Sequence, residues 1–308
     1  MDFARRFALF LSPLLVVSTG VELGLRRVET MHVARARALE TPNSRIQILV
    51  TGNSHEAVGI DCPSLGAGCF NLASGSQGLV TDRRLVERYV GSFPGLKLLL
   101  IGVSYNSIQR RTDPEDALLF EYNHAYDVQE GDGVELPWLD SRRFSLFATF
   151  GAQRSLEYVF AGFRPRTPIP RSWERLPASA IVSRDKTAEG ARRRLAMHHG
   201  SMSRDAVARN VRALEALIGL ARARGARPVL LVAPVSRSYE EMTLPANRAL
   251  LEETLASLHA RLQVDVKNYW RDPRFEEADF RDFDHLGRVG AAKLSSILRS
   301  EVVEPALR

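Results

Sequence analysis

Residues 48–60 read ILVTGNSHEAVGI, a short apolar run that ends in a glycine turn and continues into a polar segment. The run begins at Ile46 and ends at Val50, and Thr51-Gly52 follows it at once. This pattern is typical of a buried parallel strand that feeds a tight turn. Three further runs have the same character, the last of them weaker: Leu96–Val103, Pro228–Ala233 and Val264–Asn268.

Segments with helical spacing of apolar residues lie between and after these runs: Asp82–Val90, Ser203–Arg224, Ala246–Arg261 and Gly287–Glu301. Strands that alternate with helices predict a parallel sheet covered on both faces. The 308 residues are enough for one large hydrophobic core. We therefore expect an α/β domain with a flavodoxin-like three-layer sandwich, whose ligand site lies at the carboxyl ends of the strands.

The N-terminal segment from Phe7 to Leu25 is almost entirely apolar and follows Arg5 and Arg6. A helix needs about 20 residues to span a bilayer, so the segment predicts an uncleaved signal anchor. A cleaved signal peptide and a buried amphipathic helix are the alternatives. The predicted organisation is an anchor with the start of a stalk in residues 1–30, a helical stalk in residues 31–44, and the α/β domain in residues 45–308.

The sequence gives less direct evidence for the side of the membrane on which the α/β domain lies, because arginines flank the apolar segment at both ends. A count of positive charges alone would favour a cytoplasmic body. The N-terminal position and signal-like layout of the segment favour the opposite side. We expect a single-pass protein of the inner membrane with its α/β domain on the periplasmic, extracytoplasmic side.

The only two cysteines, Cys62 and Cys69, are seven residues apart. In an oxidising compartment such a pair predicts a disulfide, which agrees with a body outside the cytoplasm. Two unpaired buried thiols are the alternative. A metal site would need further Cys or His ligands at short spacing, which this stretch lacks, so neither a metal nor another cofactor is expected.

The net charge of +6 and the pI of about 9.6 come mainly from scattered arginines. We interpret the local cluster Arg192–Arg194 as a solvated helix face. A nucleic-acid partner is not expected, since no basic stripe with interleaved aromatic residues is visible. A basic surface that faces anionic lipid or an acidic polysaccharide fits the same composition.

The alternation of strands and helices lapses between about residues 107 and 186. We interpret this stretch as an aromatic-rich insertion, either a lid over the sheet or a structural subdomain that touches no ligand. Its aromatic and imidazole side chains are Tyr122, His124, Tyr126, Trp138 and Trp173.

A hydroxyl and a base stand at opposite ends of the chain. Ser54 follows the first strand, where its hydroxyl would point out of the carboxyl edge of the sheet, although a serine there is also a good helix N-cap. Near the C-terminus, Asp282 and His285 precede the last helix. A histidine oriented by a carboxylate can accept the serine proton near neutral pH. We expect the neighbouring Asp284 to be the helix cap.

The order of these blocks resembles the SGNH hydrolases, also called GDSL-like esterases, over most of residues 46–300. Gly52-Asn53-Ser54 resembles the nucleophile block of that family, with asparagine in place of the usual aspartate. Gly75 matches the glycine whose N–H joins the oxyanion hole. Asp282 and His285 match the final D-x-x-H block. The resemblance thus implies Ser54, Asp282 and His285 as catalytic residues, with the N–H groups of Ser54 and Gly75 as oxyanion donors.

The third block departs from the family pattern. Its G-x-N triplet is here Gly102-Val103-Ser104, and Asn106 lies two residues later. Ser104 would donate a weaker hydrogen bond to the oxyanion, or Asn106 would reach in from its own position. The loss of one oxyanion donor costs a factor of about a hundred or more in rate.

The match is closest to a membrane-anchored bacterial branch, which more loosely resembles envelope proteins that acetylate secreted polysaccharides. The implied function is a serine-dependent acyl-ester hydrolase or O-acetyltransferase acting on an envelope polysaccharide, glycan or small acyl ester. The alternative is a non-catalytic glycan-binding or scaffold protein. An envelope biosynthesis complex is a further expected partner. We expect His55 and the pair His198-His199 to lie at the surface, and His124 and Tyr239 to lie in the core or at the surface.

Overall fold

A five-stranded parallel sheet forms the centre of the computed structural model, which describes residues 3–66, 68–111, 117–128, 138–165 and 187–308. The strand order is β2-β1-β3-β4-β5, the flavodoxin-like order. The strands are β1 (Ile48–Thr51), β2 (Cys69–Asn71), β3 (Leu98–Gly102), β4 (Arg227–Val232) and β5 (Asp265–Asn268). The predicted parallel α/β sheet is therefore confirmed, and β2 is a strand that the sequence patterns did not predict.

Some of the α-helices cover the faces of the sheet, and others belong to a second unit of the chain. In chain order the α-helices begin with α1 (Phe3–Leu25), α2 (Met31–Glu40), α3 (Ser54–Gly59), α4 (Cys62–Leu65), α5 (Leu79–Tyr89), α6 (Tyr105–Gln109) and α7 (Ala117–Tyr126). They continue with α8 (Leu146–Phe160), α9 (Ala188–Gly200), α10 (Val207–Ala223), α11 (Arg237–Met242), α12 (Pro245–Leu262), α13 (Arg288–Leu298) and α14 (Glu304–Leu307).

The two faces of the sheet are covered by different helices. Alternate residues of β1, β3 and β4 pack in one buried cluster with Leu294 and Leu298 of α13. Helix α10 contacts β3 and β4 and buries its own apolar stripe, which includes Leu214 and Leu217. Because successive strand residues point to opposite faces, a strand covered on both sides is apolar throughout, as β3 is.

The described residues form two compact units. Unit 1 contains Met1–Ala38 and Asp113–Ile169, and unit 2 contains Leu39–Thr112 and Pro170–Arg308. Unit 2 holds the whole sheet. Within it, Cys62 at the start of α4 and Cys69 at the start of β2 form a disulfide, with their Cα atoms 5.4 Å apart.

Unit 1 is helical. Helix α1 is long and apolar enough to cross a membrane, and its apolar side chains are almost entirely exposed. The C-terminal end of α1 packs against α8, where the carboxylate of Glu22 accepts hydrogen bonds from the backbone N–H groups of Leu146 and Phe147 at 3.0 and 3.2 Å. Glu22 thus accepts hydrogen bonds from N–H groups in the first turn of α8 that have no acceptor within the helix, and its negative charge lies at the positive end of the helix dipole.

The aromatic residues of the predicted insertion lie in different surroundings within unit 1. Tyr122 and Tyr126 are buried and stack on each other beside the ring of His32. His124 Nε2 lies 2.7 Å from the carbonyl oxygen of Arg142, whereas Trp138 is 73% exposed. Trp173 lies outside the described residues.

Candidate active site

The turn after β1 presents Ser54 at the carboxyl edge of the sheet. Asn53 is the N-cap of α3, and its side-chain oxygen accepts a hydrogen bond from the N–H of His55 at 2.9 Å. The alternative role of Ser54 as helix cap is therefore filled by Asn53, and the Ser54 hydroxyl is available for other contacts. Gly52 has φ +140°, and a Cβ there would lie 2.3 Å from the Glu56 carboxylate, so this position requires glycine.

Ser54, His285 and Asp282 lie in one hydrogen-bonded row. Ser54 Oγ is 2.8 Å from His285 Nε2, and His285 Nδ1 is 3.0 Å from both carboxylate oxygens of Asp282. His285 is fully buried and Asp282 is 6% exposed. The segment 282–285 is closed by its own backbone, because the N–H groups of Asp284 and His285 both donate to Asp282 Oδ1, at 3.1 and 2.8 Å.

This row fixes the direction in which a proton can move. A carboxylate beside Nδ1 holds the imidazole proton on that nitrogen, an assignment made from the hydrogen-bond network. The lone pair on Nε2 then faces the Ser54 hydroxyl. The arrangement can accept the hydroxyl proton as the serine oxygen attacks an electrophile, and it can return the proton later.

Asp284 is not the helix cap that the sequence suggested. Helix α13 is capped by Gly287 without a side-chain hydrogen bond, and Asp284 is 1% exposed. Its Oδ2 lies 3.1 Å from His55 Nε2, and its Oδ1 lies 3.3 Å from His285 Nδ1. The surrounding imidazoles and guanidinium outweigh the desolvation that raises its pKa, so the pKa of Asp284 is held well below the usual range.

Two surface assignments from the sequence are also wrong. His55, expected at the surface, is 4% exposed because its ring lies against Asp284 and His285. Arg194, expected on a solvated face, donates through Nε to both oxygens of Asp284, at 3.1 and 3.0 Å. Its Nη2 lies 3.2 Å from His285 Nε2. Arg192 and Arg193 are exposed as expected.

His198 is buried one helical turn after Arg194, on the same face of α9. Its Nδ1 is 2.6 Å from the hydroxyl of Tyr239, which is 2.7 Å from the hydroxyl of Tyr105. Burial lowers the pKa of His198 to about 3, so this imidazole is neutral at physiological pH. The expected surface position is wrong for His198. His199 is half-buried and its Nε2 lies 3.3 Å from Asn247 Nδ2.

The predicted oxyanion donors differ in their positions. Gly75 lies in the turn after β2, and the next residue, Ser76, lines the same cavity as Ser54. Ser104 is buried as the N-cap of α6, where its hydroxyl donates to Asn106 Oδ1 and accepts from Asn53 Nδ2 at 3.3 Å. Because Oδ1 of Asn106 is taken, its Nδ2 is the donor left for a ligand. Asn106 lines the cavity beside Ser54, and the hydrogen bond from Ser104 holds its side chain in place.

A polar cavity of about 250 Å³ opens beside Ser54 within unit 2. Its walls come from the ends of β1, β2 and β3 and from one face of α9. Its lining residues include Asn53, Ser54, Gln77, Asn106, Arg110, Arg194 and His198. The cavity can hold a group of the size of an ester with part of its alcohol, surrounded by hydrogen-bonding side chains.

Two buried carboxyl groups support the backbone that leads to Ser54. Asp82 Oδ1 accepts from the N–H of Gly52 at 3.1 Å, and Glu56 Oε2 accepts from the N–H of Asn53 at 3.1 Å. Burial raises the pKa of each group to about 7, despite these hydrogen bonds and one from Gln77 to Asp82. These groups position the turn and do not face the serine.

A metal ion fits this site poorly. The ligand atoms of His55, Asp284 and His285 lie within 4.8 Å of one another. Both oxygens of Asp284 already accept from Arg194 Nε, and His285 Nε2 already faces Ser54. A metal ion would have to displace the Arg194 guanidinium from Asp284. We therefore interpret the cluster as hydrogen-bonded ion pairs and not as the ligands of a metal ion.

No family model and no curated protein matches this chain. Among solved structures, the chain is similar to the crystal structure of a "putative acylhydrolase" from Bacteroides fragilis, with 11% identity and a TM-score of 0.45. The alignment covers 89% of this chain and 95% of that chain.

Proposed function

We propose that the protein is a serine-dependent acyl-ester hydrolase or O-acyltransferase of the SGNH type. The observation that carries the proposal is the row of short contacts from Ser54 through His285 to Asp282, which joins residues more than two hundred positions apart. Helix capping explains none of these contacts, because Asn53 caps α3 and Gly287 caps α13. The block order found in the sequence supports the same assignment.

The reaction would begin when Ser54 Oγ attacks the carbonyl carbon of an ester while its proton moves to His285 Nε2. The N–H groups of Ser54 and Gly75 and the amide of Asn106 would donate to the oxyanion that forms. As the tetrahedral intermediate collapses, His285 returns the proton to the alcohol oxygen, the carbon–oxygen bond breaks, and an acyl-serine remains. Water or a sugar hydroxyl then gives its proton to His285 Nε2 and attacks the acyl carbon, the bond between this carbon and Ser54 Oγ breaks, and His285 returns the proton to Ser54 Oγ.

We propose an envelope glycan as the substrate and the extracytoplasmic side of the inner membrane as the location. The cavity beside Ser54 has the hydroxyl, amide and guanidinium groups that carbohydrate recognition requires. Helix α1 would anchor the chain in the bilayer. The disulfide between Cys62 and Cys69 supports an oxidising compartment. An envelope biosynthesis complex is the partner proposed on the same grounds.

Labelling with a fluorophosphonate probe tests the serine assignment. The probe should label the wild-type protein and should not label Ser54→Ala. Ser201→Ala is the matched control, because Ser201 lines the same cavity but donates its hydroxyl to the His198 carbonyl, and it should label normally. A folded wild-type protein that resists the probe would contradict the proposal and favour a non-catalytic glycan-binding protein.

A further inference from the structure

We propose that Arg194 makes this site selective for esters whose alcohol half carries an anionic group, a carboxylate or a phosphate. The inference rests on the proposed function, since it concerns the substrate of the same serine. It assigns a role to a side chain that the steps of acyl transfer do not themselves use.

Arg194 is held rigidly at the wall of the cavity. Its Nε is fixed by both oxygens of the buried Asp284, and its side chain is 27% exposed. Oδ2 of Asp284 lies in turn 3.1 Å from His55 Nε2, and both of these side chains are buried. Such a guanidinium loses little conformational entropy when it binds a ligand, because the protein has already ordered it.

The remaining donor nitrogens of Arg194, Nη1 and Nη2, can bind an acceptor that the described residues do not supply. His285 Nε2 has one lone pair, and both the Ser54 hydroxyl at 2.8 Å and Arg194 Nη2 at 3.2 Å approach it. The shorter contact to Ser54 takes the lone pair. Nη1 of Arg194 makes no hydrogen bond to the described part of the chain, so two nitrogens of one planar guanidinium are available for a bidentate anion.

An anion at this position would also favour the reaction. When His285 Nε2 accepts the serine proton, an imidazolium forms 3.2 Å from a guanidinium, and Asp282 and Asp284 contact these cations from the buried side only. Among the described residues that line the cavity, none is an aspartate or glutamate, and Arg110 adds a second guanidinium. An anion brought by the substrate would lower the energy of the charged intermediate.

The position of Arg194 also indicates which half of the ester would carry the anion. His285 Nε2 must return its proton to the alcohol oxygen, so the alcohol half passes next to Nε2. Arg194 lies at that nitrogen. A charged group one or two bonds away from the esterified carbon of the alcohol, as in an acetylated uronate or sugar phosphate, would reach the guanidinium.

The test compares three acetyl esters of one sugar: an acetylated uronate, the same compound with its carboxylate converted to a neutral amide, and an acetylated sugar phosphate. We expect kcat/KM of wild type to favour the anionic esters about 10- to 100-fold, the effect of a charge-assisted hydrogen-bonded pair. The carboxylate and phosphate arms identify which anion is preferred. Arg194→Gln should reduce the ratio of anionic to neutral kcat/KM to about one.

Arg192→Gln is the matched control, because it removes the same charge from the same helix at an exposed position outside the cavity. It should leave the ratio unchanged. If Arg194→Gln lowers kcat/KM for all esters equally, so that the ratio stays, Arg194 only positions His285 and Asp284 and the proposal is overturned. Equal wild-type rates for anionic and neutral esters overturn it as well.

A binding measurement separates this inference from the proposed function. Calorimetry with the Ser54→Ala protein should show tighter binding of the acetylated uronate than of its amide, and the added Arg194→Gln change should abolish the difference. If the difference is found although the probe never labels wild type, the anion preference stands and the acyl chemistry fails. If the probe labels Ser54 but the affinities are equal, only the anion preference fails.

Discussion

Units 1 and 2 bury different kinds of groups, although charged residues make up about the same fraction of each unit. Unit 2 encloses charged side chains completely, as with Asp284 among the imidazoles of His55 and His285. Unit 1 buries aromatic rings, Tyr122 and Tyr126, together with the Arg35 side chain, and it keeps ion pairs such as Arg37–Glu29 exposed. The turn at the carboxyl edge of the sheet also holds buried carboxyl groups, because the N–H groups of Gly52 and Asn53 donate to Asp82 and Glu56.

The largest expected effect is on chemistry in unit 2. Asp282→Asn should lower kcat for ester hydrolysis about 10⁴-fold, because an amide no longer fixes the proton on His285 Nδ1. Hydrolysis of a chromogenic acetyl ester measures it. His124→Gln in unit 1 is the control and should leave kcat unchanged, since His124 bonds only to the Arg142 carbonyl among the described residues. A fall of less than tenfold for Asp282→Asn would contradict the assignment.

The second effect is on stability. Asp284→Ala should lower the free energy of unfolding by about 3–5 kcal/mol, because it leaves a partly buried Arg194 and a buried His55 without their acceptor. In unit 1, Glu29→Ala removes the partner of Arg37 at an exposed position and should cost less than about 1 kcal/mol. Urea unfolding of both variants measures the contrast. Equal losses would show that the two units do not differ in this way.

The third effect is a dependence of stability on pH, in which His32 of unit 1 and Glu56 of unit 2 act in opposite directions. In unit 1, burial and the charges of Arg35 and Arg154 lower the pKa of His32 to about 3. The imidazole of His32 therefore binds a proton below about pH 6.5 in the unfolded chain but stays neutral in the folded state. The free energy of unfolding falls as the pH falls through this range. Between pH 7 and 4.5 the contribution is about 3 kcal/mol. His32→Phe should remove it in unfolding measured across that range, and an unchanged slope would contradict it.

In unit 2, Glu56 should act in the opposite direction over the same range. Burial raises its pKa to about 7, so the folded state keeps a proton that the unfolded chain has released above about pH 4.5. This contribution to stability is complete at low pH and is lost as the pH rises through 7, by about 3 kcal/mol. Glu56→Gln keeps an acceptor for the Asn53 N–H and should remove this part of the slope. A slope equal to that of wild type would contradict the buried carboxyl.

The sequence predicted the sheet well where strands are long and apolar, and it failed where the signal was too short. The run Leu96–Val103 contains β3, and the helical spacing of Ser203–Arg224 contains α10. Strand β2 has three residues, Cys69–Asn71, which is less than any periodicity can detect. It is recognised only by its pairing with β1, where Leu49 faces Phe70. Pairing is a long-range property that local spacing does not carry.

Local sequence predicted the alternation of apolar strands with helices, the apolar helix α1, and Ser54, Asp282 and His285 at turns beside strands and helices. Apolar periodicity and turn residues involve only a few neighbouring residues, so they can be inferred from the chain itself. Only the tertiary structure decided that Asp284 holds Arg194 and that His198 is buried. Those roles depend on which distant side chain fills the space opposite, and burial of a charge is tolerable only where such a partner arrives.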